Sequence, residues 1–247
     1  MQIENAVVLV TGANGGIGAE FVTALQQAGV DRIYACARKL ASLSEVAATD
    51  PERIVPIVLD ITDQLSIEAA VAQCQDVNLL INNAGVLLNY HGCIAAPSLD
   101  QARTEMEINY FGTLAMCRAF ASILKANGGG TIINILSILA RSPIPMTGSY
   151  SASKAAELSM TQTVRAELAA QGTQVIAVMP GTVDTEMSKN YPSPKVSPAE
   201  VAKASLQAVI DGSEEVYPGE QATQMAAQLT NNPKAVEKQF AQMLPST

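Results

Sequence analysis

Ala6-Val7-Val8-Leu9-Val10-Thr11-Gly12-Ala13-Asn14-Gly15-Gly16-Ile17-Gly18 is the stretch on which the fold turns. Ala6 to Val10 is an apolar run of strand length, and a helix-period pattern follows from about Gly16 to Ala28. A buried strand that passes through a glycine turn into a helix is the opening unit of a parallel sheet. Gly12 lets the chain turn sharply, Gly16 brings bare backbone against an anion, and Gly18 permits close helix-to-sheet packing. The new helix then points its free N–H groups at the anion. The candidate diphosphate cradle is therefore Gly12, Asn14, Gly15, Gly16, Ile17 and Gly18, with the spacing Gly-x-x-x-Gly-x-Gly. Taken alone, such glycines are weak evidence, since a structural turn is the alternative reading.

Apolar runs alternate with helical segments through the rest of the chain. Strands are expected at Arg32 to Ala37, Ile54 to Leu59, Leu79 to Asn82, Thr131 to Leu136, Gln174 to Met179 and, at an edge, Glu215 to Tyr217. One long helix is expected over Leu99 to Lys125 and another from Ser149 to just before Gly172. Ser197-Pro198-Ala199-Glu200 has the form of a capping box opening a further helix. The tail is expected to be helical, broken at Asn231-Asn232-Pro233. Strands this apolar, spaced by helices, imply an α/β fold: one doubly wound Rossmann-type domain over residues 1–247, with about seven parallel strands and helices on both faces.

The 247 residues suffice for one sizeable core, which aliphatic side chains must fill because Trp is absent and Phe occurs four times. A formal charge of −8 argues against nucleic acid and anionic membrane as partners. Four cysteines without paired spacing and a single histidine, His91, argue against a metal site and for reduced thiols in a cytoplasmic protein. The start, Met1 to Asn5, lacks the basic and apolar regions of a signal peptide, and no apolar run is long enough to span a bilayer.

Twenty residues after Gly18, at the end of the second strand, stand Ala37, Arg38 and Lys39. A carboxylate there would bind the ribose 2′-hydroxyl of NAD; a guanidinium instead suits a 2′-phosphate. NADP(H) is the expected cofactor, NAD(H) the less favoured one, with Arg38 the main contact and Lys39 assisting. A solvated loop start is the plainer reading of these two cations.

Tyr150 and Lys154 are one turn apart on a predicted helix. A neighbouring ammonium favours the phenolate, which would make Tyr150 a usable general acid in reduction and base in oxidation. Ser137 ends the fifth strand, where its hydroxyl could bond the substrate oxygen. Tyr-x-x-x-Lys by itself is a common accident; its context makes it specific.

With Asp60, Asn82-Asn83-Ala84-Gly85, Asn109 and Pro180-Gly181-Thr182-Val183-Asp184-Thr185, these motifs closely resemble the short-chain dehydrogenase/reductase family from Val7 to Thr185. The resemblance implies a carbonyl reductase or alcohol dehydrogenase with Ser137, Tyr150, Lys154 and Asn109 at its reacting centre. It implies that Asp60 and Ile61 flank the adenine and that Asn83, Ala84 and Gly85 line the adenosine. Lys154 would also hold the nicotinamide ribose, and Asn109 a water of the proton relay. Pro180, Gly181, Val183 and Thr185 would cover the nicotinamide, whose B face gives the hydride. Singly, Asp60 reads as a helix cap, Asn109 as a surface amide and Pro180-Gly181 as a turn. A basic residue usual in NADP-preferring relatives is replaced by Gly15, and Val216 to Glu220 departs from the family's glycine-rich strand end. A silent dinucleotide sensor of the same fold is the alternative function.

Ile138, Leu139, Met146, Met187 and Tyr191 are candidate substrate walls, with Val86 to Tyr90 and Thr147 beside them; their apolar character favours an aliphatic or aryl ketone or aldehyde. Only a short segment between Thr185 and Ser197 is available as a lid, so an open site is expected. His91 near this rim reads as a loop residue without a role. The family resemblance implies a homotetramer or homodimer built on the long helix and the tyrosine helix.

Overall fold

The computed structural model describes residues 2–192 and 194–245; Met1, in the expected leaderless start, and Ser193, in the expected lid, lie outside them. Seven parallel strands form one sheet: β1 (Val7–Thr11), β2 (Arg32–Ala37), β3 (Ile54–Val58), β4 (Leu79–Asn82), β5 (Thr131–Ile135), β6 (Gln174–Val178) and β7 (Glu215–Val216). Their spatial order is β3-β2-β1-β4-β5-β6-β7, so the direction of winding reverses between β1 and β4. That switch point is where a doubly wound sheet opens a crevice at its carboxyl ends.

Period-two alternation sorts the strand residues between two cores. Val8, Val10, Leu79, Ile81, Ile133 and Ile176 face one cluster, with Phe21 and Leu25 of helix α1 (Gly16–Gln27) and Val201 of α7 (Pro198–Asp211). Leu9, Leu80, Ile132 and Val175 face the other, with Met116 and Phe120 of α5 (Thr113–Ala126) and Met160 of α6 (Gly148–Leu168). Burial on both faces explains why the strands read as continuous apolar runs. Pro56, which has no N–H to give, sits on the edge strand β3.

Two helices that the apolar pattern did not single out, α2 (Ser44–Ala48) and α3 (Gln64–Gln73), bury little: none of the α2 residues and only Ile67 and Ala70 of α3. The expected long helix is α4 (Asp100–Met106) and α5 joined by a π-helical turn over Glu107–Gly112, which carries Asn109. Ser197 caps α7 as expected, its Oγ accepting the Glu200 N–H at 3.1 Å. The tail forms α8 (Glu220–Asn231) and α9 (Pro233–Phe240), separated at Asn232. Among the described residues no helix is long and apolar enough to cross a membrane. Cys36, Cys74, Cys93 and Cys117 are all free, and Cys93 is the exposed one.

Candidate active site

A cavity of about 590 Å³ opens at the switch point. Its dinucleotide-sized end is walled by Gly12, Asn14, Gly15, Gly16 and Ile17 from the first loop, by Asn83, Ala84 and Gly85 after β4, and by Arg38, Asp60 and Ile61. Gly12 holds a left-handed φ of +64°, and Thr11 Oγ1 accepts the N–H groups of Asn83 and Ala84 at 2.9 and 3.0 Å. The Asn83 amide donates back to the Thr11 and Gly12 carbonyls. These bonds lock the β1 and β4 loops together as one rigid edge. Gly18 stands behind the wall: a Cβ there would fall 2.1 Å from the Gly12 carbonyl oxygen, so only glycine lets α1 start this close to the loop. The free N-terminus of α1 and the bare glycine backbone suit a diphosphate.

Arg38 is exposed on the cavity wall and makes no ion pair with a described residue, although its charge helps hold the Asp60 carboxyl below its ordinary range. The main cause of that lowering is Thr62, whose hydroxyl and N–H donate to Asp60 Oδ1 at 2.7 and 3.0 Å. Asp60 thus lines the cavity and shapes the turn; the cap of α3 is Asp63. Lys39, expected beside the phosphate, is not among the residues that line the cavity. It is exposed, its carbonyl accepting from Ser42 at the start of a 3-10 turn.

At the other end Ser137, Tyr150 and Lys154 converge on the cavity. Ser137 follows β5, buried, its Oγ accepting the Leu139 N–H at 3.2 Å. Ser137 stands near enough to the Tyr150 hydroxyl to help pull its pKa down. Lys154 is buried, its Nζ 6.0 Å from the Tyr150 ring centroid and donating to the Ile135 carbonyl at 2.9 Å. Burial raises the Tyr150 hydroxyl above the ordinary phenol range; Lys154 pulls it down, and Glu157 and Glu105 push it up again. The expected lowering by the ammonium is present, but it is outweighed by lost hydration.

Asn109 is buried behind the wall, not in it. Its Oδ1 accepts the Val86 N–H at 2.8 Å, and its Nδ2 donates to the Val86 carbonyl and to Ser153 Oγ, both at 2.9 Å. It is therefore neither a surface amide nor a direct contact of the cavity. Pro180, Gly181, Val183 and Thr185 line the roof, as do Ile138, Leu139, Met187 and Tyr191 on the substrate side. Val86, Leu87 and Thr147 also reach the wall; Leu88 to Tyr90 and His91 do not.

Met146, expected on the substrate wall, is also not among the lining residues. Its N–H donates to the Met243 carbonyl, and its side chain packs with Ile138, Ile144, Leu229, Val236 and Phe240, drawn toward the C-terminal helices. Gln221 and Met225 of α8, Phe240 of α9 and Met243 beyond it also line the cavity. The lid is tied at both ends: Val183 bridges Val196, and Lys195 Nζ lies 3.2 Å from Asp184. No local signal marked the tail as a wall, because its contact with the cavity spans most of the chain. Asn134 was also missed. It accepts from Asn82 and donates to Thr161, each at 2.9 Å, pinning α6 to the sheet.

A family model described as short chain dehydrogenase matches residues 6–195. A short chain dehydrogenase from Burkholderia cenocepacia J2315, solved in complex with NADP, is 46% identical with a TM-score of 0.91, over 97% of this chain and 99% of that one. One from Streptomyces avermitilis is 25% identical with a TM-score of 0.84, over 95% and 97%. The mouse dehydrogenase/reductase SDR family member 7B is 35% identical over 199 residues, 76% of this chain and 61% of the mouse protein's length. The short-chain dehydrogenase ptmH of Penicillium ochrochloron is 35% identical over 224 residues, 86% and 79%. The chain belongs to the short chain dehydrogenase family and has its oxidoreductase fold.

Proposed function

We propose that residues 1–247 act as one dinucleotide-binding and catalytic domain, an NADP(H)-dependent carbonyl reductase or alcohol dehydrogenase. The observation that carries this reading is the convergence of Tyr150, Ser137 and Lys154 on the cavity that the glycine loop enters. The bound dinucleotide supplies a hydride to a ketone or aldehyde carbon, or takes one from a secondary alcohol. Tyr150 gives its proton to the carbonyl oxygen in reduction and takes it back in oxidation. Ser137 hydrogen-bonds the same oxygen and stabilises the charge that develops there. Lys154 offsets part of the rise that burial gives the Tyr150 hydroxyl and would hold the nicotinamide ribose. Asn109 braces the Val86 backbone and the tyrosine helix beside the proton relay. Ile138, Leu139, Ile144, Met225 and Phe240 make the substrate end apolar, which favours aliphatic or aryl carbonyl compounds.

The NADP of the Burkholderia cenocepacia relative and the free guanidinium of Arg38 support a 2′-phosphate ligand. Arg38→Ala is expected to weaken NADPH binding about 10- to 100-fold, the scale of a charge-assisted hydrogen-bond pair, and to leave NADH nearly unchanged. Fluorescence titration with each nucleotide checks this. A homo-oligomer through the outer face of α5 and α6 is part of the proposal, supported by a groove between them lined with Leu114, Ala156, Met160 and Val164 beside Arg118 and Glu167; light scattering tests it. The function itself is tested by following NADPH absorbance over a panel of aliphatic and aryl ketones and aldehydes. Tight NADPH binding without turnover of any of them would favour the sensor instead.

A further inference from the structure

Lys154 does not stand at the site as a bare cation. One turn further along α6, Glu157 Oε2 lies 2.7 Å from Lys154 Nζ, and both side chains are almost wholly enclosed, at 1% and 4% exposure. Two of the three ammonium donors are thus committed, one to Glu157 and one to the Ile135 carbonyl, leaving a third for the cavity. Other groups facing the pair are few. From α5, Thr113 Oγ1 donates to Glu157 Oε1 at 3.5 Å, and the buried Cys117 thiol feels the Glu157 charge. From α4, Glu105 acts on Tyr150. Neither element brings a second cation to Glu157, so its charge is balanced by Lys154.

Resting on the reading of Tyr150 as proton carrier and Lys154 as its neighbour, we propose that Glu157 is a positioning residue and counter-ion of the reacting centre. It fixes the Lys154 ammonium and cancels its charge, so that Tyr150 stays a proton donor. A bare ammonium in an enclosed site strongly favours a phenolate, whereas a neutral ion pair presents only a dipole whose field falls off faster. The consequence is directional: Tyr150 remains protonated and ready for carbonyl reduction, and the base needed for alcohol oxidation forms only at more alkaline pH. The carboxyl itself is pushed up by burial to about 6, held there by Lys154 and Thr113, so it is charged at neutral pH.

The test needs no substrate. Tyrosinate formation is followed by ultraviolet difference absorbance in the cofactor-free protein, with Tyr150→Phe subtracted to isolate the Tyr150 signal. In the unsubstituted protein that signal is expected to titrate at or above about 10, the ordinary phenol value. In Glu157→Gln it is expected to fall by about one unit or more, as for a group left beside an uncompensated charge, and Glu157→Asp should restore it. An unchanged midpoint in a folded Glu157→Gln protein overturns the proposal. So does a Tyr150 midpoint in the unsubstituted protein well below the ordinary value, a measurement that stands even where the glutamine variant does not fold. Failure of the carbonyl panel would instead count against the enzymatic reading, since this titration reads charge alone.

Discussion

Tyr150→Phe is expected to lower kcat for carbonyl reduction about 100- to 10,000-fold, the range that a positioned general acid contributes. The ring keeps its packing and only the hydroxyl is lost, so the fold should survive at a cost of about 1 kcal/mol or less. Affinity for NADPH should stay within about threefold, since removal of a group that acts in the transition state lowers turnover without weakening ground-state binding. Steady-state kinetics on any ketone that emerges from the panel, beside a nucleotide titration, gives both quantities. A variant turning over at near the original rate would remove Tyr150 from the chemistry and leave the convergence of side chains on the cavity without a function.

The second large effect concerns stability. Lys154→Met keeps the aliphatic stem and deletes the charge, leaving Glu157 buried without a cation. Breaking a buried ion pair from one side costs about 3–5 kcal/mol, which for a chain of this size lowers Tm by on the order of 10 °C. The pH dependence follows from the direction of the Glu157 shift. Its carboxyl already titrates above its ordinary range, at about 6, and losing Lys154 drives it higher. A carboxyl raised in the folded state binds its proton more readily there than in the unfolded chain, so its contribution to stability falls as pH rises between the unfolded and folded values. The variant should therefore lose least in mild acid and most at neutral pH. Thermal unfolding followed by circular dichroism over that interval checks this. Replacing both partners, Lys154→Met with Glu157→Leu, should recover much of the loss, because an apolar pair has no charge to desolvate. Equal destabilisation at all pH values would mean that packing, and not the stranded carboxylate, is responsible.

Much of the architecture was legible because it is encoded locally. Strand β2 over Arg32–Ala37 and β4 over Leu79–Asn82 have the bounds their apolar runs announce, and the glycine turn opens α1 at Gly16. The π-helical turn at Glu107–Gly112 was not legible, since it interrupts a helical pattern without changing its apolar period. Among the candidate site residues, those that follow a strand end line the cavity: Gly12, Arg38, Ser137 and Pro180 each follow a parallel strand whose carboxyl end faces the crevice. Those reached by a side chain of unknown direction were less secure. Lys39, beside Arg38, does not line the cavity, and Met146 packs against the cluster that holds Leu229, Val236 and Phe240.

What the chain's own order of residues determined is the class: a doubly wound parallel sheet, a glycine-lined anion cradle and a tyrosine-lysine helix, all functions of periodicity and short spacing. Tertiary structure alone decided how the cavity is closed and how its charges are balanced. Gln221, Met225, Phe240 and Met243 share the cavity with Ser137 only because the chain after β7 returns to it. The Lys154–Glu157 spacing was present in the sequence, but on an exposed helix it would be a solvated pair of little consequence. Burial between the sheet and α5 strips away the water, and the same two residues then set the electrostatics of the site.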